Sequence, residues 1–492
     1  MKKYNILLIY PSKEIHDKYE KNENVIFLDK NNWSYFHNKK RVNVSIDEIV
    51  DEREISKNFN PRTIINILRS KGPLWSRWTD RGDQTELYLR KSLFEIFSLS
   101  CGIKKFKITK AIFPTSISHH IDTSILEIAC MISDVRQIFP YSLTLDSNKN
   151  IYGRLLPLVQ IANIKDRKVI SEKISEYEYN DDLNNVFSIA RENKFNLKDY
   201  TMFSKSHSLS KIVLYCKYIK SRLGDLGRFL FPKLDKRRQV IGVFPDYKLK
   251  TIFKQIKQQK EGIKYYKKNI SSPNSFETKK AEDNILIVAH HQPEATSFPE
   301  GAEMHNHIDI VFELRRKGFR GNIFYKEHPA CFLYYESYVG SLRVGQYRSV
   351  EYYKQLKRLG CIFLDTSYEL SFNKNSNFWY VPITVTGSIA LERSLSGYNT
   401  IISGYPWFKG LPGLIHIDDV ESFDLLKDSW KKHNQELSIS AKKYLINMLN
   451  NKTIFNAWGV GTGLKTKDYN LKKSFMGEYD NLINFLIENK NV

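Results

Sequence analysis

The run NILIVAHHQPEATSFPEG, residues 284–301, decides how the second half of the chain is read. Its apolar opening is too short for a helix, and a loop with two prolines and a glycine follows at once. That is a buried strand giving way to a fixed loop. Next, EMHNHIDIVFELRRKG (303–318) carries apolar residues at helical spacing and closes on Gly318, and GNIFYKE (321–327) returns to a short apolar run. The same alternation continues outward. SVEYYKQLKRLG (349–360) predicts a helix with Gly360 as its stop signal, and CIFLD (361–365) a strand. FWYVPITVTG (378–387), SIALERSLSG (388–397) and NTIISGYP (399–406) predict strand, helix and strand. Strands alternating with short helices specify a parallel sheet covered on both faces. In such a sheet, ligands bind beyond the carboxyl ends of the strands.

The first half carries a weaker version of the pattern. NILLIYP (5–11) and KAIFPT (110–115) predict buried strands, TELYLRKSLFEIFSL (85–99) a helix, and a further helix opens near Asp122. Residues 160–240 are charged and show no assignable period. FPDYKLKTIFKQIKQQKEGIKYYKKNIS (244–271) predicts a long basic helix, and SSPNSFETKKAEDN (271–284) has the composition of a linker. The expected organisation is an α/β domain over 1–240, a connecting helix and linker over 241–283, a second α/β domain over 284–425, and a helical segment over 426–492 that packs back.

Composition sets the class. The 492 residues are 41% hydrophobic and 26% charged, as in soluble globular chains of two or three domains. Lysine and arginine number 76 against 54 acidic residues, a net charge of +22 that suits an anionic partner. No RNP, zinc-finger or helix-turn-helix signature accompanies that charge, so nucleic acid is not the expected partner. The five cysteines are scattered without CxxC spacing, which argues against a disulfide framework or a zinc site. The apolar start is too short to span a membrane. A cytoplasmic protein is expected, touching the inner membrane through its basic surface.

Three strand-to-helix junctions hold the chemistry: HHQPEATSFPEG (290–301), KEHPA (326–330) and TVTGSIALE (384–392). In the third, Gly387 lets a ligand approach the backbone, Thr386 and Ser388 add hydroxyls, and the helix N-terminus supplies N–H groups for a phosphate. Glu392 stands one turn on, where a carboxylate can accept from a ribose. In the second, Pro329 holds His328 extended, where it can donate to a phosphate or a base carbonyl. Lys326 is expected to support ligand binding and Glu327 to brace the histidine from behind. In the first half, SHHID (118–122) sets His119, His120 and Asp122 between a strand and a helix, a base or a base with its orienter. Glu127 is the reserve candidate.

In order and spacing, QPEATSFPEG (292–301), FYKEHP (324–329), GQYRSVEYYKQL (345–356), ITVTGSIALE (383–392) and GYNTIISGYPWF (397–408) resemble the capsule polysaccharide biosynthesis proteins. These are bacterial glycosyltransferase-like proteins, some of which transfer Kdo from its CMP derivative, and they are similar to sialyltransferases with a His-Pro motif. The likeness covers roughly residues 285–410. SHHID departs from the family's Pro-His element by Ser118, and GYN stands where Gly-Lys-Pro is usual. The resemblance implies two Rossmann-like domains facing across a cleft, the GT-B arrangement. It implies a CMP-activated acidic sugar as donor, a glycan or glycolipid acceptor, and no metal or other cofactor. His328 and Pro329 would contact the CMP, Thr386, Gly387 and Ser388 its phosphate, and Glu392 its ribose. Gln292, Glu294, Lys326 and Arg348 complete the binding set, and Asp122, with His120 and Glu127, the catalytic one. A UDP- or GDP-sugar donor, or a non-catalytic export scaffold, are the competing expectations.

Overall fold

A computed structural model describes residues 6–11, 13–29, 32–38, 40–50, 59–70, 85–114, 121–147, 150–160, 164–166, 168–169, 249–271, 283–292, 299–332, 347–368, 370, 378–421, 423, 428–450 and 469–488. They fall into two compact α/β units.

The described part of the first unit comprises residues within 6–169, residues 446–450 and the helix Tyr469–Glu488. Its strands are β1 (Ile6–Ile9), β2 (Val25–Asp29), β3 (Asn32–His37), β4 (Lys40–Ser45), β5 (Lys110–Ile112), β6 (Arg136–Ser147), β7 (Asn150–Gln160) and β8 (Lys168–Val169). They form one sheet in the order β4-β3-β2-β1-β5-β6-β7-β8. The central four, β2-β1-β5-β6, run parallel, and each wing is added antiparallel. Ile6, Leu8, Val25, Phe27, Ile112 and Ile138 line one face and meet Tyr479, Leu482, Ile483 and Leu486. Those four recur at three- and four-residue spacing, so they form one stripe of their helix. Leu7 and Ile9 point the other way and are buried as well, as a sheet covered on both faces requires. Lys110 is buried too, and its Nζ donates to the Leu486 carbonyl at 2.7 Å, in the last turn of that helix. A cation there satisfies a carbonyl the helix leaves unbonded. Burial, with Arg136 adding, lowers the Lys110 pKa to about 8.

In the second unit the strands are β9 (Asn284–Val288), β10 (Asn322–Lys326), β11 (Cys361–Leu364), β12 (Val381–Thr384), β13 (Thr400–Ile402) and β14 (Leu414–His416). All are parallel, in the order β11-β10-β9-β12-β13-β14. Counted from its own first strand, this is the doubly wound order 3-2-1-4-5-6, which reverses direction between β9 and β12. Ile285, Ile287, Ile323, Tyr325, Phe363, Val381 and Ile383 pack on helices His307–Arg316 and Val350–Arg358. Leu286, Phe324 and Leu364 face the opposite layer with Tyr380 and Tyr398. Asn306 and Ser349 cap the two helices by accepting from Ile308 N–H and Tyr352 N–H, and Gly318 and Gly360 end them at φ 91° and 84°.

The basic helix, expected as a connector, is Leu249–Lys268 and belongs to this unit, with Tyr266 wholly buried in its core. Lys254, Lys257, Lys260, Lys264, Lys267 and Lys268 are exposed along its outer side. Among the described residues, no helix is long and apolar enough to cross a membrane.

Gly262 of this helix gives a test of packing against propensity. Alanine is the better helix former by about 1 kcal/mol, but a Cβ here would lie 2.2 Å from the Arg348 carbonyl oxygen. Backbone cannot swing aside as a side-chain tip can. Gly262→Ala is therefore expected to destabilise by about 1–3 kcal/mol, seen as a lower urea midpoint; a raised midpoint would show that the contact relaxes.

Candidate functional site

The carboxyl ends of β9, β10 and β12 bring the three sequence-predicted junctions of this unit to one rim. β10 ends at Lys326, so Glu327 and His328 lie just beyond it. Lys326 is partly exposed, and burial lowers its pKa to about 8 against the pull of Glu327 and Asp365. Glu327 is wholly buried. Its Oε2 accepts from the hydroxyls of Tyr325 and Tyr353, each at 2.9 Å, and its Oε1 accepts the His328 N–H at 2.8 Å. Its own N–H donates to the Tyr266 hydroxyl at 3.1 Å, which in turn donates to the Leu364 carbonyl at 2.6 Å. Glu327 thus braces the histidine through the backbone.

The counter-charge to Glu327 is Arg348. Its Nε stands 2.8 Å from Glu327 Oε2, an ionic contact whose N–H is not directed along that line. The other guanidinium nitrogens donate to Gln292 Oε1 and to the His290 carbonyl, and the group lies over the Tyr352 ring at 4.8 Å. Arg348 and Gln292, both expected to bind ligand, are 2% exposed and engaged inside the protein. Gln292 Nε2 also donates to the His305 carbonyl at 2.9 Å. These two side chains hold the 289–292 loop in place.

Two histidines that sequence reasoning passed over join this network. His307, the first residue of its helix, is wholly buried, with Nδ1 2.8 Å from the Tyr352 hydroxyl and Nε2 3.1 Å from His290 Nδ1. Burial drives the pKa of His290 and His307 well below the ordinary value; nearby Arg348 repels a proton on His290, and His290 one on His307. His328 is partly exposed, its ring 6.0 Å from that of His291. Burial of its imidazole, with His291 next, lowers its pKa to about 3. His290, His307 and His328 are thereby held as neutral donors and acceptors at pH 7. Among the described residues, no group of three or more His, Cys, Asp and Glu is arranged to hold a metal ion.

No family model, no curated protein and no solved structure matches this chain.

At the third junction, Thr386 is buried, Gly387 partly exposed and Ser388 exposed at the start of helix Ser388–Leu395. The Gly387 N–H donates to Thr384 Oγ1 at 3.3 Å, and a Cβ on Gly387 would sit 2.6 Å from that oxygen. A side chain there would require the Thr384 hydroxyl to move. Burial raises the Glu392 pKa to about 7, against the pull of the Ser388 hydroxyl. Gly404, after β13, backs the junction: a Cβ there would meet Thr386 Cγ2 at 2.7 Å.

In the first unit, Asp122 lies in the first turn of helix Ile121–Ile132. Glu127 is buried and accepts from Gln160 Nε2 at 2.8 Å, tying that helix to β7. His119, His120 and Glu294 lie outside the described residues, as does the Asp122 side chain. Pro329 opens the short turn Pro329–Phe332 that follows His328.

Proposed function

We propose that this chain is a glycosyltransferase of bacterial surface polysaccharide synthesis, capsule or lipopolysaccharide. In this reading it transfers an acidic sugar such as Kdo from a CMP-activated donor to a glycan or glycolipid acceptor without a metal. The observation that carries the nucleotide part is the strand reversal between β9 and β12, since ligands of doubly wound sheets bind at that point. Its edges are the His328 and Thr386–Gly387–Ser388 junctions, which also carry the motif resemblance. A neutral His328 can donate one N–H to the departing phosphate or to the base carbonyl without bringing a competing charge.

The chemistry is a single displacement. An acceptor hydroxyl attacks the anomeric carbon, the bond to the CMP phosphate breaks, and the hydroxyl proton passes to a base. The phosphate leaves with the bonding pair, where helix N–H groups and hydroxyls stabilise it. A nucleoside monophosphate leaving group has no diphosphate for a metal to bridge. The base, Asp122 in this reading, comes from the first unit, as in a GT-B enzyme whose acceptor domain faces its donor domain. The lysine-rich side of helix Leu249–Lys268 suits an anionic inner leaflet, where a glycolipid acceptor would reside.

The test is ligand-linked stability. CMP and CTP at about a hundredfold over Kd are expected to add about 2.7 kcal/mol, raising the melting temperature, whereas UDP and GDP leave it unchanged. A shift with UDP or GDP alone would sink the CMP donor.

A further inference from the structure

His290 is the residue that follows Ala289 at the end of β9, and 5% of it is exposed. Its Nδ1 faces His307, and its Nε2 is buried with no hydrogen-bond partner among the described residues. Which nitrogen carries the proton can be worked out from Arg348, which can only donate. An Arg348 N–H is directed at His307 Nδ1 at 3.5 Å, which assigns that nitrogen as the acceptor, from Arg348 and from the Tyr352 hydroxyl. His307 then holds its proton on Nε2 and donates it to His290 Nδ1. His290, accepting at Nδ1, must carry its own proton on Nε2. That buried atom is therefore an N–H donor, and a buried donor left unpaired is costly.

Its position is informative. β9 pairs with β10 through Val288 and Lys326, and with β12 through Ile287 and Ile383. Carried forward, those registers set His290 level with His328 on one side and Thr386 on the other. His290 stands at the central strand end, between the two junctions that flank the reversal. Arg348 fixes it twice, by donating to its carbonyl at 3.1 Å and, through His307, by setting its tautomer.

We infer that the Nε2–H of His290 donates to a phosphate oxygen of the nucleotide, with the Glu327–Arg348–His307 chain positioning it. This rests on the nucleotide reading above. Two substitutions separate the ring nitrogens: asparagine places an amide near Nδ1, and glutamine places one near Nε2. Calorimetric titration is expected to show CMP affinity reduced about ten- to a hundredfold in His290→Asn and largely kept in His290→Gln. Cytidine, which lacks the phosphate, should bind all three proteins alike. ¹⁵N-resolved histidine spectra of the wild-type chain should show His290 protonated at Nε2, with that resonance moving on addition of CMP. This second measurement stands even if the asparagine variant does not fold. Unchanged CMP affinity in folded His290→Asn, equal losses for CMP and cytidine, or an Nε2 resonance indifferent to CMP would each overturn the inference and leave the nucleotide reading standing. Failure of CMP, UDP and GDP alike to bind the wild type would remove that reading, and this inference with it.

Discussion

Glu327→Gln is expected to lower the unfolding free energy by about 3–5 kcal/mol, one of the largest effects a single substitution can have here. The carboxylate is wholly buried, and Arg348 beside it is 2% exposed. Removing one charge of such a pair strands the other in a medium that cannot solvate it. Glutamine keeps the volume but not the bonding pattern. Oε2 meets two tyrosine hydroxyls and Arg348 Nε, while Oε1 meets the His328 N–H. All four are donors, and an amide has only one oxygen. Whichever way it turns, its NH₂ faces at least one other donor. Chemical denaturation reads the loss. The double variant with Arg348→Met is expected to lose less than the two single losses added together, with a coupling of about 0.5–3 kcal/mol. A single-variant loss below about 1 kcal/mol would contradict the burial and pairing that assign Glu327 its role.

That network explains what the sequence could and could not tell. The second sheet was legible because its strands are buried on both faces and appear as short apolar runs. Its helices announce their ends by Gly318 and Gly360, while the Asn306 cap that starts the first of them four residues later than expected was not read. Strand order was not legible: the reversal between β9 and β12 is a pairing across about a hundred residues, and no local pattern encodes it. The same holds for Glu327 with Arg348 and for His290 with His307. Nothing in the local sequence of any one of them names its partner. KEHP did indicate a brace for His328, but the two tyrosines, Tyr325 and Tyr353, look like plain core residues until the fold turns their hydroxyls inward. In the first unit, β6 and β7 pair along their whole length with Pro140 opposite Pro157. Prolines ordinarily count against a strand interior, which hides this hairpin. The polar stretch between the strands, around Asp146–Asn150, was the turn signal that could have revealed it. The three-residue β14 is too short to show any period.

Acid should destabilise the fold well above the range in which ordinary carboxylates titrate. His290 and His307 are held neutral by burial, so their folded pKa lies well below the 6.5 of an unfolded histidine. Between those values the unfolded chain binds protons that the folded chain refuses, and stability falls as pH falls. Two such rings give a slope of about 3 kcal/mol per pH unit once pH is below about 6. His328, with a folded pKa of about 3 and partial exposure, adds in the same direction. Glu392 works against them. Its folded pKa of about 7 lies above the ordinary 4.5, so the folded chain keeps a proton the unfolded chain releases. Its contribution is fully present below about pH 4.5 and is lost as pH rises through about 7. That offsets about 1.4 kcal/mol per unit between these limits. Asp29 and Asp309, raised by burial from 3.8, act in the sense of Glu392 at lower pH. The wild-type chain should therefore lose stability by more than about 1 kcal/mol per unit between pH 6 and pH 5, and Glu392→Gln by roughly twice that. Denaturation midpoints of both proteins at pH 7, 6 and 5 measure the two slopes. Stability in Glu392→Gln that stays level or rises as pH falls from 7 to 5 would mean that these histidines take up protons in the folded state, and the neutral relay through His307 to His290 would not exist.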